Sequence, residues 1–194
     1  MSTETSGTED GTGGEEVDPA ALRAQIDSLE ERLADVEEAD AEPKKMTIIA
    51  TKGTLDMAYP PLILASTAAA FGWDVVVFHT FWGLDVLHEE KAENLKLSAV
   101  GNPSMGVPNA LAALPGMDSL ATRMMRKKID DNGTASIEEL IEVSLESGVD
   151  LQACQMTMEL YGYEDEDMID GVTTRVGAAT ALEHMADADI QLLV

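Results

Sequence analysis

A single cysteine, Cys154, is the one thiol nucleophile in this 194-residue chain. With no partner for it, an intramolecular disulfide and any multi-cysteine zinc or iron–sulfur site are excluded. A thioredoxin-type relay is excluded for the same reason, because it needs two cysteines two residues apart. The usual peroxidatic pattern places Thr three residues before the cysteine; here that position is Leu151. Three scattered histidines, His79, His88 and His184, make no recognisable metal site. A papain-like pair would need one of them beside the thiol. Only His79, at the end of an apolar run, is a candidate; His88 and His184 lie among acidic neighbours on helical stretches and are expected to face solvent. Thr51-Lys52-Gly53-Thr54 offers one glycine where a dinucleotide-binding loop needs three.

What matters next is which elements carry these residues. Short apolar or β-branched runs at Met46–Ala50, Val75–Phe78 and Val149–Ala153 read as strands, with a weaker one near Leu97–Val100 and a terminal one at Ile190–Val194. Helical stretches separate them. One starts near Tyr59, with Pro60 and Pro61 placed in its first turn, and closes at Gly72. Asp85–Asn94 is a charged helical stretch, and another helix runs from Asp118 to Ile129. Ser136 and Glu139 form a capping box for the next, which ends at Gly148, and Gln155–Tyr161 is a short helix closed by Gly162. A last helix spans 177–186. The segment Gly101–Met117, rich in Pro, Gly and Met, carries no clear signal. Five strands separated by helices predict an α/β fold with a parallel five-stranded sheet and helices on both faces.

In such sheets ligands gather at the carboxyl edge of the strands. That edge collects Lys52-Gly53, His79-Thr80, Gly101-Asn102 and Cys154. Cys154 is thus the candidate catalytic residue, at a strand-to-helix junction where backbone N–H groups lower a thiol pKa. Lys52, Gly53, His79 and Thr80, together with the adjacent Gln155, are candidate supporting residues. Phe78, Phe81 and Trp82 are expected in the core or an interface. Arg123, Arg126, Lys127 and Lys128 read as a solvated helix face.

Three units are expected. Residues 1–16 form an acidic, low-complexity tail expected to be disordered. Residues 17–40 form an amphipathic helix, capped by Asp18 with Pro19 behind it; Leu22, Ile26, Leu29, Leu33 and Val36 make a short coiled-coil-like seam. The α/β domain covers 44–194. The formal net charge is −25, of which the 14 acids and two arginines of residues 1–42 supply −12. Charge of this size disfavours nucleic acid and anionic membranes as partners, and suits an acidic protein hydrated in concentrated salt. The N-terminal residues do not read as a signal peptide, and the longest apolar stretch, Leu62–Phe71, is too short to span a bilayer. The expectation is a cytoplasmic protein with no membrane segment.

The run Ala153-Cys154-Gln155-Met156-Thr157-Met158-Glu159-Leu160-Tyr161-Gly162 is distinctive. With Phe78-His79-Thr80-Phe81-Trp82-Gly83-Leu84 and Pro115-Gly116-Met117, it resembles the DsrE/DsrF/DsrH-like superfamily. The likeness covers residues 46–194 and is nearest to the DsrE2-like branch, whose members are often labelled peroxiredoxin family proteins. The resemblance implies a flavodoxin-like sheet, a homo-oligomer, and a cysteine that carries sulfane sulfur as a persulfide. Cys154 would then take sulfur from a donor protein or a small sulfane-sulfur compound and pass it to an acceptor, as a carrier or sulfurtransferase, without cofactor or metal. Thiol peroxidase chemistry is disfavoured by Leu151. The competing reading is a non-catalytic oligomeric or ligand-sensing module in which Cys154 is merely packed.

Overall fold

The structure is a computed structural model that describes residues 18–98 and 116–194. The tail 1–16 and the segment 101–115, which includes Pro115, lie outside those residues. The chain divides into two units, Met1–Glu42 and Pro43–Val194.

In the first unit, helix α1 spans Pro19–Ala41. The Asp18 carboxylate accepts the Ala20 N–H at 3.0 Å, and Pro19 occupies the first turn, where its missing N–H costs nothing.

The second unit is a five-stranded sheet, all parallel, in the order β4-β3-β2-β1-β5. The strands are β1 (Lys45–Ala50), β2 (Asp74–His79), β3 (Asp150–Cys154), β4 (Thr173–Val176) and β5 (Ile190–Leu193). Helix α2 (Leu55–Ala70) links β1 to β2. A 3₁₀ segment (Phe81–Val86), the one-turn α3 (Glu89–Ala92), α4 (Met117–Asp131) and α5 (Ile137–Glu146) lie between β2 and β3. Helix α6 (Gln155–Tyr161) follows β3, and α7 (Ala178–Asp187) joins β4 to β5 across the sheet.

Strand alternation sorts side chains onto two faces. On one, Ile48, Val77, Leu151 and Ala153 join Leu62, Ala65, Ile137 and Ile141 from α2 and α5 in the main core. On the other, Phe78, Cys154 and Val176 pack with Ala181 of α7 in a smaller cluster. Ion pairing of Lys45 with Asp187 (2.6 Å) and the bond from Thr47 Oγ1 to the His184 carbonyl (3.1 Å) hold α7 against β1.

Three expectations are corrected here. Leu97 and Ser98 are not strand, and residues 99–100 lie outside the described residues; the fifth strand is Thr173–Val176. Its polar sequence hides it, and only Val176 is buried. Helix α2 begins at Leu55, so Pro60 and Pro61 sit in its second turn. That early start is fixed by a distant partner, the Lys96 carbonyl, which accepts the Leu55 N–H at 2.8 Å. Asp85–Asn94 is a 3₁₀ segment and a single helical turn instead of one helix.

Candidate functional site

β3 ends at Cys154, which also caps α6. Its sulfur points to the α7 face and forms the floor of an open cavity of about 470 Å³. Phe78, Thr80, Gln155, Met156, Glu159, Gly177 and Ala178 line the rest. Three chain segments therefore converge: the ends of β2 and β3 with the start of α6, and the β4–α7 junction. A bulge in β4 helps to shape the last of these. Gln152 pairs with Thr173 and Cys154 with Val176, so β4 carries two residues where β3 carries one. Arg175 takes up the extra length at φ 57°, with its guanidinium on Asp165 (2.9 Å) and Glu164 (3.2 Å).

Cys154 is only 4% exposed, yet its thiol pKa lies below the ordinary value. Burial by itself pushes it up. The hydroxyls of Thr157 and Thr80 and the backbone amides of Thr157 and Met156 together outweigh burial by stabilising the thiolate. Cys154 occupies the N-cap position of α6 with its backbone in the extended region.

The two hydroxyls are organised from outside. Thr157 Oγ1 accepts the Phe81 N–H at 3.1 Å and lies 3.1 Å from Thr80 Oγ1. Two hydroxyls sharing one hydrogen bond leave one proton free for the sulfur. If Thr80 donates to Thr157, the lone pairs of Thr157 are both engaged and its own proton turns to Cys154. Phe81 can reach Thr157 because its backbone sits in the left-handed region at φ 49°. Backbone crossing beside it fixes that bend. A Cβ on Gly53 would stand 2.0 Å from the Trp82 carbonyl oxygen, and one on Gly83 would stand 2.3 Å from the Ala50 carbonyl oxygen. The β1–α2 and β2 loops thus touch main chain to main chain, and Thr80 N–H closes the contact on the Ala50 carbonyl at 3.0 Å.

The residues expected at the sheet edge are distributed unevenly. Cys154, Thr80 and Gln155 line the cavity; Gln155 is exposed and donates to Glu159 at 2.9 Å. Gly53 acts one loop away, through Trp82. Lys52 is exposed and does not line the cavity. His79 is on the opposite face of the sheet, fully buried, with Nδ1 3.3 Å from the Val77 carbonyl and Nε2 without a partner among the described residues. Burial lowers its pKa to about 4, so it is a neutral core residue and no base for the sulfur. Thr157, missed in the sequence, follows Cys154 by three residues, the spacing that brings an N-cap and the N3 position together.

Other expectations also change. His88 is buried, capping α3 by accepting the Glu90 N–H at 3.3 Å and meeting the Tyr163 ring edge-on. His184 is half-buried, with Nε2 3.1 Å from the Gln152 amide nitrogen. Phe81 and Trp82 are exposed, so neither is core. Arg126 of the basic stretch binds the Glu93 and Leu95 carbonyls.

Comparison with known proteins settles the family. The DsrE/DsrF/DrsH-like family matches residues 42–193. The chain belongs to this family. It is 47% identical over 161 residues to the sulfur carrier protein DsrE2 of Allochromatium vinosum, covering 79% of this chain and 99% of that one. It is 28% identical to the uncharacterized protein YrkE of Bacillus subtilis, covering 78% and 97%. Among solved structures, the Escherichia coli ychN protein is similar at a TM-score of 0.47 and 13% identity, covering 78% of this chain and 99% of that one. Within this DsrE-like chain, no helix among the described residues is long and apolar enough to cross a membrane.

Proposed function

We propose that this chain is a sulfur carrier that holds sulfane sulfur as a persulfide on Cys154 and hands it to an acceptor thiol. The observation that carries the reading is a buried cysteine that lines an open cavity and whose pKa is nonetheless lowered. The name of the 47% identical relative supports it.

The step is a displacement at sulfur. The Cys154 thiolate attacks the outer sulfur of a donor R–S–SH, the donor S–S bond breaks, and RS⁻ leaves. Cys154 then carries –S–SH, and no electrons are gained or lost overall. An acceptor thiolate repeats the displacement and regenerates the Cys154 thiolate. The Thr157 and Thr80 hydroxyls stabilise that anion at both ends of the cycle, where it is attacking group and leaving group in turn. No resolving thiol is required, which suits a chain with one cysteine.

Intact-protein mass spectrometry tests the proposal. Incubation of the reduced chain with a low-molecular-weight persulfide should add one sulfur to Cys154, removable by a thiol and absent in Cys154→Ser. A chain that gains no sulfur, or gains it equally in Cys154→Ser, refutes the reading. The slight exposure of the sulfur favours one competitor, a cysteine that only packs. That cysteine would resist alkylation until the protein unfolds.

A further inference from the structure

We propose that Glu159 sets the donor preference of the Cys154 cavity, which selects sulfur donors carrying a positive charge beside the sulfur and disfavours anionic ones. This inference rests on the carrier reading above. On a protein, the matching donor is a persulfidated cysteine flanked by Lys or Arg; among small molecules, it is an aminothiol persulfide.

Among the described residues that line the cavity, Glu159 is the one with a charged side chain besides the Cys154 thiolate itself. Phe78, Met156, Gly177 and Ala178 are apolar or lack a side-chain polar group, and Thr80 and Gln155 are neutral. The nearest cation in sequence, Arg175, is engaged by Asp165 and Glu164 and does not line the cavity. Lys52 does not line it either. A sulfur anion such as thiosulfate would therefore enter against a carboxylate, with no cation among the described lining residues to receive it.

The carboxylate is also held in place. The exposed face of α6 carries Gln155, Met156, Glu159 and Leu160, spaced so that they adjoin on one side. Gln155 Nε2 donates to Glu159 Oε1 at 2.9 Å, leaving the second carboxylate oxygen for an incoming cation. Met156 and Leu160 are well exposed beside it. An acid between two apolar side chains matches a lysine or arginine, whose aliphatic stem and charged head meet both features.

The test uses three symmetric disulfides of similar size: cystamine (cationic), 2-hydroxyethyl disulfide (neutral) and 3,3′-dithiodipropionate (anionic). The Cys154 thiolate attacks one sulfur, forms the mixed disulfide Cys154–S–S–R and releases RS⁻. Rates on the full-length chain at low salt are divided by those of a free reference thiol, which cancels leaving-group differences. A single charge a few ångström away in hydrated surroundings changes encounter by roughly threefold. Glu159→Gln keeps an acceptor for Gln155 and should lower the cationic-to-anionic rate ratio by about tenfold, one factor from each reagent. Glu138→Gln on α5 changes net charge equally at a remote position and should leave the ratio in place. The ratio should also shrink in 1 M salt, where screening reaches about 3 Å. An unchanged ratio in Glu159→Gln overturns the inference and leaves the carrier reading standing. Failure of all three reagents to modify Cys154 overturns both.

Discussion

The amide nitrogen of Phe81 stands 3.1 Å from the hydroxyl oxygen of Thr157, so a residue at the end of β2 dictates how a side chain after β3 presents its proton. The contact uses an aromatic residue at φ 49°, a conformation that costs an L-residue about 1–2 kcal/mol. The cost is met locally because main chain packs on main chain at Gly53 and Gly83.

Removing the Thr157 hydroxyl should weaken the thiolate. Thr157→Val keeps the shape of the side chain but leaves the Phe81 N–H without its acceptor and takes one hydroxyl donor from the sulfur, leaving Thr80 and the backbone amides. A hydrogen bond to a charged group favours the ionised form, so without it the thiol pKa should rise and the alkylation midpoint move to higher pH. Alkylation of Cys154 followed against pH reads this directly, and Thr157→Ser should restore the lower midpoint. A midpoint unmoved in Thr157→Val would remove the hydroxyl from the site.

Crowding the loop crossing should act on both stability and thiol. Gly53→Ala places its Cβ 2.0 Å from a backbone oxygen that cannot swing away. The strain should cost about 1–3 kcal/mol in urea unfolding and displace Phe81 from Thr157, raising the alkylation midpoint. Gly72→Ala is the comparison. Its φ of 79° is also unfavourable, but nothing lies within 4 Å of the added methyl. It should lose about 1 kcal/mol and leave the thiol unchanged.

His79 should make the fold acid-sensitive without touching the cysteine. In the folded chain its pKa is lowered to about 4 by burial, whereas an unfolded histidine titrates near 6.5. Between those values the unfolded state binds more protons, so stability is fully present above about pH 6.5 and is lost as pH falls towards 4. The total loss is about 3 kcal/mol. Urea midpoints at pH 7 and pH 5 should separate less in His79→Leu than in the parent chain. Equal separation would mean that His79 does not stay neutral in the fold.

Ser136 offers a clean structural contrast. Its hydroxyl accepts the Glu139 N–H at 3.1 Å, and Glu139 accepts the Ser136 N–H at 2.7 Å. Ser136→Ala should cost about 1 kcal/mol in thermal or urea unfolding, with no change in Cys154 alkylation.

Local chemistry made several of these features legible in the sequence. Ser136 with Glu139, Asp18 with Pro19, and the turn glycines Gly148 and Gly162 act within a few residues, and the helices end where they stand. Strand β4 escaped because Thr173-Thr174-Arg175 gives no apolar alternation, and its bulge breaks the period further. The start of α2 depends on Lys96, some forty residues away, which periodicity cannot reveal. In the site, the rule that strand ends converge brought Cys154 and Thr80 to one edge. The same rule is silent about faces. Only the register, which sets His79 beside Ala153 and Phe78 beside Gln152, shows that the histidine ring and the sulfur lie on opposite sides of the sheet. Thr157 needed the backbone bend at Phe81, a property of two crossing loops.

The depth of Cys154 has a consequence for recognition. An S–S bond is about 2 Å long, so a sulfur atom added to this side chain would lengthen it by up to that distance. Empty, the chain offers visitors a thiol that is almost wholly covered, in a cavity also lined by Met156 and Glu159. Charged with cargo, it would offer a protruding, polarisable atom within easy grasp. A partner that probes only the rim could therefore tell a full vessel from a vacant one by touch, with no rearrangement of the sheet.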